Sequence, residues 1–138
     1  MEEEIREIEH TADIGFIVRA KDIESLIKKI SLILSNVMVD KETIEIKETK
    51  NFEVKIEEED FIVIDVLREL LYFFDTEGFI WRDVKVNIKG NIILLELKGE
   101  KFDNKKHKLK KDVKAVTYHD YYLEKKENFY ETRFILDI

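Results

Sequence analysis

From Asp22 onward, apolar residues recur at Ile23, Leu26, Ile27, Ile30, Ile33, Leu34, Val37 and Met38, with Lys28 and Lys29 outside the stripe. This spacing is that of a helix burying one face, and Asp22 is a suitable N-cap, so the pattern predicts a helix over 22–38. A second helix is predicted from near Asp60, where Phe61, Ile64, Leu67, Leu70, Leu71 and Phe74 keep the same period while Arg68, Glu69 and Asp75 are polar. It should stop before Gly78, a residue suited to a left-handed helix end.

The remaining segments alternate with period two. Phe16–Ala20 reads as a strand. Ile44 and Ile46, then Phe52, Val54 and Ile56, share one parity, which fits one long bent strand or two collinear ones. Val84, Val86 and Ile88 are followed by Gly90–Asn91 and then Ile93, Leu95 and Leu97, a hairpin with a type II′ turn. Val113–Leu123 and Phe129–Leu136 flank Lys125–Asn128 as a second hairpin. On its last strand Tyr130, Thr132, Phe134, Leu136 and Ile138 point one way, and Glu131, Arg133 and Asp137 the other. Asp103–Asp112 is lysine-rich and nearly devoid of apolar residues, so it reads as an exposed loop. The economical assembly is α+β: a two-layer sandwich in which two helices pack on one face of a mostly antiparallel sheet of five or more strands.

No linker or repeat interrupts the 138 residues, so we read one domain, and 44% hydrophobic content suffices for a core. Zero cysteines exclude disulfides, zinc-thiolate sites and cysteine nucleophiles. The net charge of −7 opposes a primary nucleic-acid binder unless basic residues are segregated onto one face. Neither a membrane span nor a signal peptide is visible, which reads as a cytoplasmic protein.

Chemistry concentrates in two places. In His10-Thr11-Ala12-Asp13-Ile14-Gly15, Asp13 either folds back as an Asx turn or serves as a hard oxygen ligand, with His10 as supporting donor or proton carrier. At the other end, Asp137 beside Ile138 is either a solvated strand end or an acidic group that joins Asp13 at a site for Ca²⁺ or Mg²⁺ rather than zinc. The three serines, Ser25, Ser31 and Ser35, all fall within the first helix and none occupies a nucleophile elbow. His10, His107 and His119 lie in separate segments without a zinc-protease motif. Tyr118, Tyr121 and Tyr122 with His119 form an aromatic cluster that either packs the sheet or anchors a partner.

Five blocks, EHTADIGF (Glu9–Phe16), LRELLYFFDTEGF (Leu67–Phe79), GEKFDNKKH (Gly99–His107), KAVTYHDYYL (Lys114–Leu123) and FILDI (Phe134–Ile138), resemble the archease family in order and spacing. The tract Asp120-Tyr121-Tyr122 is more aromatic than the family pattern. The resemblance implies a non-catalytic activator of the RtcB-type tRNA-splicing RNA ligase, which promotes its guanylylation and multiple turnover and broadens the nucleotides it accepts. It further implies a divalent-cation site, with calcium as the ion and Mg²⁺ or Mn²⁺ as alternatives, formed by Asp13, Asp137 and Ile138, the last through its terminal carboxylate or backbone oxygen. His10, Lys114 and His119 fall in matching motifs as supporting or partner-contact residues, and Glu69, Glu77 and Glu100 are further contact candidates. In this reading tRNA is met only through the ligase. The competing readings are a small metal-dependent phosphoesterase and a chaperone or modulator of nucleic-acid-processing proteins.

Overall fold

The first helix, α1 (Ile23–Met38), starts where its spacing predicts. The Asp22 carboxylate accepts the Ser25 backbone N–H at 2.8 Å, satisfying one of the donors that a helix N-terminus leaves open. The second, α2 (Ile62–Glu77), is entered through a 3-10 turn at Glu59–Phe61. It ends on Gly78, whose φ of 63° is the left-handed conformation that glycine adopts without a Cβ penalty. Leu26, Ile30 and Leu34 of α1, and Ile64, Leu67 and Leu70 of α2, are fully buried, as the stripes require.

The computed structural model describes residues 5–9 and 13–138. Within them the strands are β1 (Ile5–Glu9), β2 (Asp13–Ala20), β3 (Glu48–Lys55), β4 (Phe79–Lys89), β5 (Ile92–Lys101), β6 (Ala115–Lys125) and β7 (Tyr130–Asp137). All pair antiparallel. The class is α+β as expected, with the strands divided between two sheets, β1-β2-β7-β6 and β3-β5-β4, rather than joined in one. Helix α1 packs on β2, β7 and β4, while α2 packs on β6, β3 and β4, so the helix pair covers both sheets over a shared core.

Trp81 of β4 fastens α1 to the smaller sheet. Its ring is fully buried, its Nε1–H donates to the Ser31 carbonyl at 3.0 Å, and its own carbonyl accepts the Ser35 hydroxyl. Opposite Trp81 lies Gly99, where an added Cβ would sit 1.9 Å from the Ile80 carbonyl oxygen. Only a glycine admits β4 that closely, and the ladder shifts register there between Trp81 and Asp83. The β4–β5 turn is also as predicted: Gly90 has φ 60° and Asn91 is not left-handed, the type II′ combination.

Two strand expectations change. Residues 44–47 are not part of β3: Ile44 is buried but Ile46 is 53% exposed. The Glu45 N–H is taken at 2.7 Å by the Glu100 carboxylate and Arg82 binds the Ile44 carbonyl at 3.2 Å, while the backbone meets β5 only from the Lys47 N–H, which donates to the Gly99 carbonyl at 2.9 Å. Strand β6 is also interrupted. Thr117 pairs with Ile135 and Tyr122 with Arg133, so Tyr118–Tyr121 bulge out opposite Phe134 alone, with Asp120 at φ 54°.

Candidate functional site

Strands β2 and β7 run side by side over their whole length, from Asp13 opposite Asp137 to Ala20 opposite Tyr130. Phe16 and Phe134, paired on the core face with ring centroids 5.4 Å apart, lock this register. Alternation then puts Ile14, Phe16, Val18 and Ala20 inside and Asp13 on the outer face. Asp137 is its register partner, so both carboxylates leave the same face, with Cβ atoms about 5 Å apart. Both residues are half-buried, and neither side chain has an ion-pair or hydrogen-bond partner among the described residues. Two carboxylates on one face, with no ion-pair partner among the described residues, are an arrangement that a cation would stabilise. An all-oxygen donor pair matches a hard ion rather than zinc. Among the described residues no set of three or more carboxylate or imidazole groups converges on an ion position, so these residues supply two carboxylates. Ile138 follows directly and packs its side chain, half-buried, on the core.

Lys114 joins this corner through its backbone: its N–H donates to the Asp137 carbonyl at 2.7 Å, while the side chain is exposed. His119 does not. It stands on the β6 bulge with its side chain 76% exposed and Nε2 3.3 Å from the Asp120 carboxylate, opposite Phe134 and so roughly 10 Å along the strand from Asp137. His10 lies outside the described residues. The tyrosines split between faces. Tyr121 stacks on Phe61 and donates to the Asp60 carbonyl at 2.7 Å, burial driving its phenol pKa upward. Tyr122 faces the other side and donates to Glu131 at 2.6 Å; burial, then the Glu131 carboxylate, push its hydroxyl up to about 12. Arg68 of α2 stacks over Tyr118, 4.1 Å from its centroid, and donates to the Val116 carbonyl, tying the bulge to the helix.

A second polar centre escapes the periodicity reading. Glu100 is not a surface contact but is 94% buried. His107, within the stretch read as an exposed loop, has a side chain with no exposed surface. Its Nε2 lies 2.8 Å from Glu100 Oε2, and its Nδ1 accepts the Asp103 N–H at 2.9 Å. An occupied Nδ1 acceptor places the proton on Nε2, so the imidazole is neutral and donates to Glu100. The same carboxylate accepts the Glu45 N–H at 2.7 Å and Lys106 Nζ at 2.9 Å. Burial alone would raise its pKa, but these donors overcome burial and hold it at about 2. The sequence signal is the Glu-to-His spacing inside GEKFDNKKH, flanked by Phe102 packing inward.

Together these features describe a small α+β protein whose exposed chemistry is acidic. All three serines sit in α1 or its first turn, Ser31 and Ser35 buried against the Ile27 and Trp81 carbonyls. A model of the archease protein family (MTH1598/TM1083) matches residues 6–138, and the chain belongs to that family. It is 40% identical over 121 residues to the protein archease of Pyrococcus furiosus, covering 85% of each chain. Identity is 36% over 134 residues to that of Sulfurisphaera tokodaii, covering 94% of this chain and 95% of the relative. The solution structure of Methanobacterium thermoautotrophicum protein 1598 superimposes with a TM-score of 0.80 at 28% identity, covering 97% of this chain and 98% of that one.

Proposed function

We propose that this protein is a non-catalytic activator of an RtcB-type tRNA-splicing RNA ligase, promoting the ligase's guanylylation and multiple turnover. The observation that carries the reading is the pairing of Asp13 with Asp137, which joins the first and last family motifs at one corner of the larger sheet. Asp13, Asp137 and an oxygen of Ile138 are the groups that would hold a divalent cation, calcium or in its place Mg²⁺ or Mn²⁺. When bound, such an ion supplies positive charge that offsets the repulsion between the two carboxylates. The paired acids dock at the metal- and nucleotide-binding cleft of the ligase, where a net charge of −7 favours approach to a cationic site. In this reading tRNA is engaged through the ligase, in the cytoplasm, with His119 and Lys114 at the margin of the contact. No helix among the described residues is long and apolar enough to cross a membrane.

Multiple-turnover ligation of tRNA halves by the ligase tests this reading. Wild-type protein should raise turnover, and Asp13→Ala and Asp137→Ala should each lose the stimulation. Normal stimulation by both variants would sink the proposal. In parallel, the protein alone is incubated with a generic phosphodiester and divalent ions. Hydrolysis that disappears in Asp13→Ala would replace the activator reading with a phosphoesterase.

A further inference from the structure

Charge is distributed unevenly along the chain. Residues 101–114 contain seven lysines and two aspartates, a charge of +5, so the rest of the protein carries −12. The segment is irregular yet firmly held. The Glu100–His107 pair anchors its start. Its middle pairs with the end of α1 through a bridge between Val39 and Leu109, with Lys110 N–H donating to the Met38 carbonyl at 2.8 Å. Its end is held by the Lys114 bond to Asp137.

Two of the seven lysines have structural duties. Lys106 bridges Glu45 and Glu100, and Lys110 Nζ binds the Asn36 carbonyl at the end of α1, a helix with no basic residue in its last turn. The other five have no ion-pair partner among the described residues, and Lys101, Lys105, Lys108 and Lys114 are exposed. The segment thus holds five lysines without ion-pair partners among the described residues on a stretch fixed at several points, which lowers the ordering cost of binding polyphosphate.

We propose that this lysine segment is a docking surface for the phosphodiester backbone of RNA, independent of the ligase reading. Lysine is depleted in protein–protein interfaces, which favour arginine and aromatic anchors in apolar pockets. Here there is no arginine, Phe102 and Val113 are turned into the core, and Leu109 is the one exposed large apolar side chain. Lysine point charges without stacking aromatics read phosphates and not bases, so binding is weak, sequence-independent and salt-sensitive.

The test is fluorescence anisotropy of a labelled single-stranded 20-mer RNA titrated with the full chain between 20 and 200 mM salt. Log affinity should fall linearly with log salt. The triple variant Lys101→Gln/Lys105→Gln/Lys108→Gln should flatten the slope by about 2, at about 0.7 for each single-strand phosphate that is no longer neutralised. The Lys→Arg triple should restore it, and circular dichroism should show both triples folded. No binding at 20 mM salt, or a slope unchanged in the Gln triple, would overturn the proposal. So would a poly-glutamate probe of equal charge binding as tightly as the RNA, which would assign the surface to an acidic protein.

Discussion

Replacing Glu100 with Gln removes the charge and one of the two acceptor oxygens that take three donors, the Glu45 N–H, His107 Nε2 and Lys106 Nζ. The carboxyl is held at about 2 against an ordinary 4.5, and at 1.36 kcal/mol per unit that preference contributes about 3 kcal/mol to stability at neutral pH. The independent expectation for removing one member of a buried ion pair is about 3–5 kcal/mol, the same scale. The pH signature separates this effect from ordinary packing loss. Because the folded pKa is depressed, the stabilisation is complete well above pH 4.5 and disappears as pH falls through 2. At pH 3 about 1.4 kcal/mol of it should remain. Urea unfolding followed by circular dichroism on wild type and Glu100→Gln at pH 7 and pH 3 measures both values. A difference below about 1 kcal/mol at pH 7, or one that does not shrink at pH 3, would refute the assigned network.

Other substitutions probe the frame. Gly99→Ala should destabilise by at least the about 1–3 kcal/mol typical of overpacking, because the new methyl meets the backbone of Ile80 and Trp81; a melting temperature equal to wild type would contradict the close strand approach. Asp22→Ala should cost about 1 kcal/mol by orphaning the Ser25 N–H, and Asp22→Asn should recover most of it, both read from urea midpoints. Trp81→Phe removes the indole N–H bond to the Ser31 carbonyl, which keeps its helical donor, and should cost about 0.5–1.5 kcal/mol for that bond, whereas a neutral result would show that the indole bond contributes nothing.

Both helices and the Gly90 hairpin were legible because each depends on local chemistry: a 3.6-residue stripe with its cap, or a glycine at a position that needs positive φ. The division into two sheets was not, since period two gives the faces of strands but not their neighbours. Ile44 and Ile46 share the parity of Phe52 and Val54, yet side chains distant in the chain, Glu100 and Arg82, take the Glu45 N–H and the Ile44 carbonyl, and the backbone meets β5 only from Lys47. The bulge at Tyr118–Tyr121 is likewise set by a tertiary contact, Arg68 with Tyr118 and Val116, that leaves no period in the chain. The residues alone offered the pairing of Asp13 with Asp137 as one of two readings, and the family resemblance favoured it; their opposition follows from the β2–β7 register. Glu100 and His107 stayed hidden because polar residues in a lysine-rich stretch read as solvated, and only the fold shows them satisfying one another.

The proposed acidic centre is tested most directly by a crystal structure of the protein soaked in calcium. The expected result is one ion bound by carboxylate oxygens of Asp13 and Asp137 and an oxygen of Ile138, at about 2.3–2.6 Å. An ion bound elsewhere, or Asp13 and the Ile138 oxygens more than about 8 Å apart, farther than two ligands of one such ion can lie, would contradict it.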